Sequence, residues 1–314
     1  MLGEKIGKMV QTGEKNDSGL ADKNDSLKVA IQGYYGAFHE IAARKYFQEK
    51  NLEIIQAMTF EDVIEMVSRG GDADIGLMAI ENTLGGSIMN NYRLLQESNV
   101  SVIGEAYLRI KQHLIGLPGT AIQDLKEVHS HPMAIAQCRE YFKSYPQIKL
   151  IEMEDTALSA KRLSENKNPE VGVIASKLAS ELYDLELLEE SIETHKKNFT
   201  RFLVIKDQDL VEINPSKVEK VSVSFSTGHE VGSLYKVLTV LAAYNVNLTK
   251  IQSAPIIGHP WEYMFFVDFV IESGKIGFTQ AIEAIQPLTN SLKVFGAYQQ
   301  GEFYGGLIYH LHRQ

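Results

Sequence analysis

The stretch DIGLMAIENTLGGSI, at residues 74–88, contains the two features that decide the fold. Its first half, DIGLMAI, is a continuous apolar run, which is typical of a strand buried on both faces of a parallel sheet. Its second half puts polar side chains directly after that strand, followed by a glycine pair and a predicted helix start. Polar groups in this position commonly bind a polar or anionic ligand. The loop is therefore a candidate ligand site, and helix capping by Thr83 or Ser87 is the alternative explanation.

Strands and helices are predicted to alternate on both sides of this stretch. KVAIQ (28–32) predicts a strand, and the apolar spacing of FEDVIEMVSRGG (60–71) predicts an amphipathic helix that stops at a glycine pair. Further strands are predicted at 100–104, 126–130, 148–153, 171–175 and 201–206, and further helices at 86–97, 132–143, 155–165 and 176–183. This alternation predicts a mostly parallel α/β sheet.

Length and composition favour two globular domains without a metal or cofactor. The chain has 314 residues, of which 44 % are hydrophobic and 23 % charged, and its net charge of −9 argues against nucleic-acid binding. Cys138 is the single cysteine, and no Cys/His cluster has zinc-binding spacing. No apolar run is long enough to span a membrane. Residues 1–27 are polar and are predicted to form a disordered leader, not a signal peptide, so the expected location is the cytoplasm.

A second domain is predicted after a polar linker at residues 207–217. Residues 218–300 follow the order βαββαβ, a ferredoxin-like pattern, and residues 301–314 are predicted to be a C-terminal tail. Apolar residues alternate along one strand from Trp261 to Phe269. We expect this stripe to leave apolar surface for a second copy, and hence a homodimer or homotetramer built largely through this domain.

Polar side chains also mark three other segments of the first domain. These segments are SHPMAIAQC (130–138), EDTALSA (154–160) and NFTRF (198–202). Gln137 lies one turn into a predicted helix, Thr156 lies at a helix start, and Thr200 and Arg201 lie just before the last strand. Each residue alone has a structural explanation, such as capping or solvent exposure. Together they are compatible with a cleft in which helix-terminal amides and a cation bind carboxylates without a metal.

The motifs AIENTLGGSI, SHPMAIAQC, DTALSA, NFTRF and NLTKIQSAP…WEYMFFVD occur in the order and spacing found in bacterial prephenate dehydratases. The chain resembles that family over about residues 28–300. The resemblance implies a two-lobed, type II periplasmic-binding-protein-like domain over residues 28–206, followed by an ACT regulatory domain. It implies a hydro-lyase that converts prephenate to phenylpyruvate, water and carbon dioxide in phenylalanine biosynthesis, without a cofactor.

The resemblance also implies the roles of individual residues. The implied catalytic residues are Glu81, Asn82, Gln137 and Thr200, with Thr200 as the essential hydroxyl. The implied substrate-binding residues are Thr83, Ser87, Thr156 and Arg201. Loss of carbon dioxide and hydroxide makes an aromatic ring, so a positioned hydroxyl donor at the leaving group is sufficient chemistry. Arg201 is expected to supply either charge for the carboxylates or a structural bridge.

Some residues beside the expected cleft depart from the family pattern. Tyr35 and Ala37 stand where proline and threonine or serine are usual, Met133 where glutamine is common, and Asp155 where serine is common. The loop NTLGGSI is similar to that of plant enzymes that prefer arogenate, so arogenate dehydratase is one alternative. A solute-binding or amino-acid sensor protein is the alternative from another class, because the large domain resembles binding-protein lobes.

The resemblance to ACT domains implies feedback inhibition by phenylalanine, bound between subunits. The implied effector-binding residues are Gly232, Ser233, Leu234, Asn247 and Leu248. Glycine at the first of these positions lets the backbone approach a ligand closely. The chain has QSAP (252–255) where the family commonly has ESRP, so weaker coupling between effector and cleft is expected.

Overall fold

The computed structural model describes residues 26–48, 51–271 and 278–305. The predicted leader (1–27) and tail (301–314) therefore lie largely outside the described residues. Within the described ranges, the strands form three sheets, of seven, five and four strands. The first two sheets are the cores of two lobes, and the third belongs to a C-terminal domain. This arrangement confirms the predicted two-lobed α/β domain followed by a ferredoxin-like domain.

The first lobe is a sheet covered by helices. Its strands, numbered along the chain, are β1 (Leu27–Gln32), β2 (Leu52–Ala57), β3 (Ile75–Asn82), β4 (Gly86–Ser87), β5 (Val100–Arg109), β11 (Phe199–Asp207) and β16 (Phe303–Tyr304). Its helices are α1 (Phe38–Phe47), α2 (Phe60–Val67) and α3 (Met89–Glu97). The strand order is β16-β5-β11-β3-β1-β2, with β4 paired to β3.

The direction of β11 differs from the sequence prediction. β1 is parallel to β2 and β3, but β11 is antiparallel to both of its neighbours, β3 and β5. Five strands of this sheet therefore run in one direction, as predicted, and only β11 and β4 run in the opposite direction. β11 enters directly from the second lobe, without the crossover that a parallel neighbour requires. The antiparallel pairing brings the end of β3 opposite the start of β11.

The loop after β3 forms a short hairpin before the next helix. Gly86 has φ 76°, a left-handed backbone that favours glycine, and Gly86 pairs with Asn82 in the β3–β4 register. The helix predicted at 86–97 consequently begins only at Met89. The hairpin holds the polar loop of residues 82–86 close to the end of β3.

The second lobe is a five-stranded sheet in the order β10-β6-β9-β7-β8. Its strands are β6 (His113–Gly116), β7 (Glu127–Ser130), β8 (Lys149–Glu152), β9 (Val171–Ala175) and β10 (Glu186–Glu189). Its helices are α4 (Pro132–Cys138), α5 (Thr156–Asn166) and α6 (Lys177–Leu182), with 3-10 turns at Ile122–Asp124 and Tyr141–Ser144. The second turn replaces the end of the helix predicted at 132–143. The chain crosses between the lobes from β5 to β6 and from β10 to β11, and a cleft separates the two sheets.

The C-terminal domain has an antiparallel sheet in the order β13-β14-β12-β15. Its elements are β12 (Lys220–Ser226), α7 (Ser233–Ala243), β13 (Asn247–Pro255), β14 (Tyr263–Val270), α8 (Phe278–Ile285) and β15 (Ser291–Tyr298). A 3-10 turn at Gln286–Leu288 follows α8. The predicted linker contains 3-10 turns at Gln208–Leu210 and Pro215–Lys217.

The two faces of this small sheet have different partners. Val267 and Phe269 of β14 are buried in the core formed with the domain's own helices. Phe266, which points the other way, packs with Tyr92 of α3 in the first lobe. The apolar stripe that we expected to contact a second copy is therefore largely buried within the domain itself. Trp261 precedes the strand and is exposed.

The last described residues of the chain lie on the first lobe. Phe303 and Tyr304 form β16, which runs parallel to β5. The ring of Phe303 stacks on that of Tyr107 with centroids 4.4 Å apart. The inner end of the predicted tail thus extends the sheet of the first lobe. None of the helices in the described ranges has the length and apolarity needed to cross a membrane.

Candidate active site

Two paired strands bring predicted catalytic residues together beside the cleft. In the antiparallel register of β3 and β11, Thr200 lies opposite Asn82 and Arg201 lies opposite Glu81. Successive side chains of a strand point to opposite faces of the sheet. Thr200 and Asn82 therefore face the cleft, whereas Glu81 and Arg201 face the C-terminal domain.

The cleft encloses a cavity of about 310 Å³, a size suited to a small organic ligand. The structure brings Asn82, Gln137, Thr156 and Thr200 together in its lining. The other lining residues are Gln32, Ala37, Phe38, His39, Ala79, Gly85, Gly86, Ile88, Ile110, Gln112, His131, Met133, Ala134, Glu154, Asp155 and Phe202. Among the described residues, no three His, Cys, Asp or Glu side chains are arranged to bind a metal ion.

The Thr200 hydroxyl is held by Asn82. Asn82 Nδ2 donates to Thr200 Oγ1 at 2.9 Å. The amide of Asn82 is oriented in turn by the backbone N–H groups of Leu84 and Gly85, which donate to Asn82 Oδ1 at 2.9 and 2.8 Å. Because the Thr200 oxygen accepts from Asn82, its own O–H bond points elsewhere. The Thr200 hydroxyl is therefore available to donate to a ligand in the cavity.

Asn198 links the two lobes, although the sequence prediction did not single it out. Asn82 Nδ2 donates to Asn198 Oδ1 at 2.8 Å, and Asn198 Nδ2 donates to Gln137 Oε1 at 3.0 Å. Gln112 Nε2 donates to the same oxygen of Gln137 at 3.2 Å. The Nε2 group of Gln137 is then the part of its amide left to face a ligand. Asn198 precedes Thr200 by two residues in NFTRF, and this period-two spacing is the signal that could have identified it.

Glu81 and Arg201 lie outside the cavity, which corrects the prediction that both belong to the cleft. Arg201 is 3 % exposed, and its guanidinium pairs with Glu81, Glu105 and Asp268. Nε lies 2.7 Å from Glu105 Oε2 in the first lobe, and Nη1 lies 2.5 Å from Asp268 Oδ2 in the C-terminal domain. The strand alternation explains this placement. Arg201 therefore has the structural role that the sequence left open, joining the first lobe to the C-terminal domain.

Thr83 and Ser87 also point away from the cavity. Thr83 Oγ1 donates to the carbonyl of Lys197 at 3.1 Å and accepts from the N–H of Phe199 at 2.9 Å. Thr83 thus ties the loop after β3 to the start of β11. Ser87 Oγ lies 2.9 Å from Nζ of Lys250, in the C-terminal domain. Both residues therefore support the loop, and neither lines the cavity in which the sequence prediction placed them.

Asp155 occupies the start of α5 beside Thr156. It caps the helix, because its Oδ1 accepts from the N–H of Leu158 at 2.8 Å. Burial raises the pKa of Asp155, while backbone N–H groups at the helix start oppose that rise. The capping role considered for Thr156 therefore belongs to its neighbour. Asp155 adds a carboxyl group to the wall of the cavity.

Within the described residues, the cavity lining contains no lysine or arginine. Burial lowers the pKa of His39 to about 4, so its imidazole is neutral at pH 7. Its ring meets the ring of Phe202 edge-on at 4.9 Å.

Ala37 at the N-cap of α1 supplies no side-chain hydrogen bond, so backbone N–H groups of the first turn lack a capping partner there. The buried Glu40 in the same turn, which pairs with Arg44, offsets part of the positive potential of the helix dipole. Ala37 and Phe38 both line the cavity.

A second pocket, of about 230 Å³, lies in the C-terminal domain. The structure places Gly232, Ser233 and Leu234 in its lining, at the start of α7. Gly232 has φ 81°, a backbone conformation that other residues adopt with strain. The other lining residues are Thr227, Gly228, His229, Glu230, Tyr235, Trp261, Glu262, Tyr263 and Phe265. Asn247 and Leu248 do not line this pocket within one chain.

The fold and the cleft define a two-lobed α/β protein with a small-molecule site between its lobes and a separate pocket in a ferredoxin-like domain. The family model for prephenate dehydratase matches residues 29–210, and the model for the ACT domain matches residues 221–286. The chain belongs to the prephenate dehydratase family, with a C-terminal ACT domain. This membership confirms the resemblance and favours an enzyme over a solute-binding protein.

Relatives with curated names include enzymes of two related activities. The chain is 33 % identical to the bifunctional chorismate mutase/prephenate dehydratase of Enterobacter agglomerans, with 87 % of this chain and 70 % of that protein covered. It is 34 % identical to arogenate dehydratase 2 of Petunia hybrida, with 90 % of this chain and 74 % of that protein covered. Both names refer to dehydratases, so the relatives agree on the class of reaction.

Solved structures share the fold. The quorum-quenching acylase GqqA superposes with a TM-score of 0.78 at 27 % identity, covering 87 % of this chain and 98 % of that one. The prephenate dehydratase of Arthrobacter aurescens, solved in complex with L-Phe, superposes with a TM-score of 0.77 at 24 % identity, covering 87 % and 90 %. The lobes and the ACT domain therefore occur together in solved proteins of this fold.

Proposed function

We propose that this protein is a prephenate dehydratase, which converts prephenate to phenylpyruvate, carbon dioxide and water. The observation that carries the proposal is the Asn82–Thr200 hydrogen bond at the wall of the cleft, in a chain that belongs to this family. The test is formation of phenylpyruvate from prephenate by the purified protein. Wild-type protein that is folded and does not consume prephenate would overturn the proposal.

Thr200 is proposed to assist the leaving group. The bond between the ring and its carboxylate breaks, and the electron pair enters the ring. The carbon–oxygen bond at the opposite ring carbon breaks, and hydroxide leaves and takes a proton from solvent. The Thr200 hydroxyl donates a hydrogen bond to the departing oxygen as negative charge develops there. Asn82 supports this role because it occupies the Thr200 oxygen and leaves its proton free.

We propose that the two carboxylates of the substrate are bound by different kinds of surface. The ring carboxylate loses its charge as carbon dioxide, so a weakly polar wall favours its reaction over its retention. Apolar residues such as Phe38, Ile110 and Phe202 provide that wall. The ketoacid carboxylate keeps its charge and needs a partner throughout. Backbone N–H groups in the first turn of α1 are the proposed partner, replacing the Arg201 expected from the sequence.

Arogenate is a second candidate substrate, and Asp155 is the observation that favours it. Arogenate carries an ammonium group in place of the keto group of prephenate. A carboxylate in the cavity attracts an ammonium group, whereas it repels a dianion. Asp155 stands where the family commonly has serine, as noted from the sequence. Both substrates are therefore to be compared with one enzyme preparation.

Replacing Asp155 by serine is expected to shift substrate preference toward prephenate. We expect kcat/KM for arogenate relative to prephenate to fall about tenfold or more, because a hydrogen bond to a charged group contributes about 1.5–3 kcal/mol. Serine caps helices well, so α5 is expected to remain intact. Asp155→Asn is a second test variant, which keeps the shape, removes the charge and is expected to lower the ratio as well. An unchanged ratio in both variants would remove Asp155 from substrate discrimination.

Phenylalanine is proposed as the effector of the ACT domain. Backbone groups around Gly232 and Ser233 are available for its charged ends, and the aromatic rings of Trp261 and Tyr263 for its benzyl group. Asn247 and Leu248 would join the site from a second copy of the chain, which makes a homo-oligomer part of the proposal. The exposed apolar side chains of Val231 and Ile257 favour such a contact.

Titration with phenylalanine is expected to show binding and slower turnover, and light scattering to show at least a dimer. Trp261→Ala is expected to weaken binding roughly tenfold or more, because losing burial of a large apolar group costs about 1.5–3 kcal/mol. Leu210→Ala is the control, since Leu210 is also an exposed apolar residue but lies in the linker and does not line the pocket. A monomeric protein that does not bind phenylalanine at millimolar concentration, and whose turnover phenylalanine does not slow, would contradict the effector proposal.

A further inference from the structure

Lys250, on β13 of the ACT domain, reaches across the domain interface to the loop that carries Asn82. Its Nζ contacts Glu81 Oε2 and lies 2.9 Å from Ser87 Oγ. Glu81 and Ser87 lie opposite each other in the β3–β4 register, at the two ends of the loop of residues 82–86. One ammonium group therefore ties both ends of this loop together, from the face opposite the cleft.

The surroundings of Lys250 make this contact strong. Its side chain is 11 % exposed, and its Nζ lies 5.4 Å from the centre of the Tyr92 ring. Partial burial lowers the effective dielectric and reduces screening of the pair with Glu81. The other oxygen of Glu81 lies 3.3 Å from Nη1 of Arg201. The Glu81 carboxylate is thus held by two cations, one from each domain.

The geometry of this loop determines where Asn82 points. The N–H groups of Leu84 and Gly85, inside the loop, hold Asn82 Oδ1, and Asn82 in turn holds the Thr200 hydroxyl. We infer that Lys250 is a positioning residue for the dehydration reaction, acting through the loop on the Asn82–Thr200 pair. The effect on turnover rests on the proposed function, whereas the effect on the loop does not.

Steady-state kinetics test the effect on turnover. Lys250→Met is expected to lower kcat about 10–100-fold, because small misplacement of reacting groups is costly, with KM changed much less. Lys250→Arg keeps the charge and is expected to restore most of the kcat. Glu81→Gln combined with Lys250→Met is expected to have less than the summed effect, because both residues act through one contact. Equal loss of kcat in the arginine and methionine variants would overturn the inference.

Amide hydrogen exchange tests the loop without reference to activity. Lys250→Met is expected to speed exchange at the N–H groups of Leu84 and Gly85 about tenfold or more, as a local opening becomes easier. Lys293→Met is the matched control. Lys293 also crosses the domain interface, but its Nζ donates to the carbonyls of Leu95 and Ser98 at the far end of α3, at 2.8 and 2.6 Å.

Kinetics and hydrogen exchange together distinguish a failure of the proposed function from a failure of the positioning role of Lys250. Wild-type protein that does not consume prephenate would overturn the proposed function, and exchange at Leu84 and Gly85 would still decide whether Lys250 holds the loop. Unchanged exchange in Lys250→Met, or an equal increase in Lys293→Met, would overturn the positioning role. Faster exchange in Lys250→Met alone, together with a lower kcat, is the result that supports it.

Discussion

Replacing Thr200 by valine is expected to lower kcat by about 10²–10⁴-fold, the usual contribution of a positioned proton or hydrogen-bond donor. Valine keeps the shape of threonine and has a methyl group in place of the hydroxyl. Asn82 Nδ2 retains acceptors at Asn198 Oδ1 and the Phe199 carbonyl, at 2.8 and 3.2 Å, so no buried donor is left unpaired. Phenylpyruvate formation under saturating prephenate is the measurement.

Thr200→Ser is the control for this experiment, because it keeps the hydroxyl and loses a methyl group. Its kcat is expected to remain within about tenfold of the wild-type value, since one buried methyl contributes only about 1 kcal/mol. Thermal unfolding of both variants should show that the fold is intact. A folded valine variant with near-wild-type kcat would exclude Thr200 as the donor.

Replacing Arg201 by methionine is expected to destabilise the protein by about 3–5 kcal/mol, because it removes one partner from a buried ionic cluster. Glu105 and Asp268 are both buried beside the guanidinium. Lys220, whose Nζ lies 2.9 Å from Glu105 Oε2, cannot replace the contact that Arg201 makes with both domains. Denaturant unfolding at constant pH measures the loss.

Arg93→Met is the matched control for Arg201→Met. Arg93 pairs with Glu97 on the surface of α3, at 2.6 Å between nitrogen and oxygen, and both side chains are exposed. An exposed pair of this kind contributes about 0–1 kcal/mol. If Arg201→Met lost no more stability than Arg93→Met, the ionic cluster would not hold the domains together.

The strand alternation that separates Thr200 from Arg201 could have been predicted from the sequence. The sequence placed the last strand of the first domain at 201–206, whereas β11 begins at Phe199. A strand predicted to begin two residues earlier would have placed Thr200 and Arg201 on opposite faces of the sheet. The error therefore lies in the boundary of the element and not in its type. It made Arg201 a candidate for carboxylate binding.

The contact between the domains was harder to predict. Ser222, Ser224 and Ser226 alternate along β12 and suggest a solvent-facing side, yet all three are buried. Ser224 donates to Gln96 of α3, and Ser222 shares a hydrogen bond with Tyr298 at 2.6 Å. Buried hydroxyls need partners, and here those partners come from distant parts of the chain. Sequence periodicity carries no information about such long-range pairs.

The return of the chain to β5 through β16 attaches the ACT domain to the first lobe at both of its ends, once by a covalent linker and once by strand pairing. The linker is the segment of residues 208–219, and residues 299–302 lead to the paired strand at Phe303. A single proteolytic nick in either segment would leave the two domains in one particle. A domain anchored at both ends cannot swing freely about one linker.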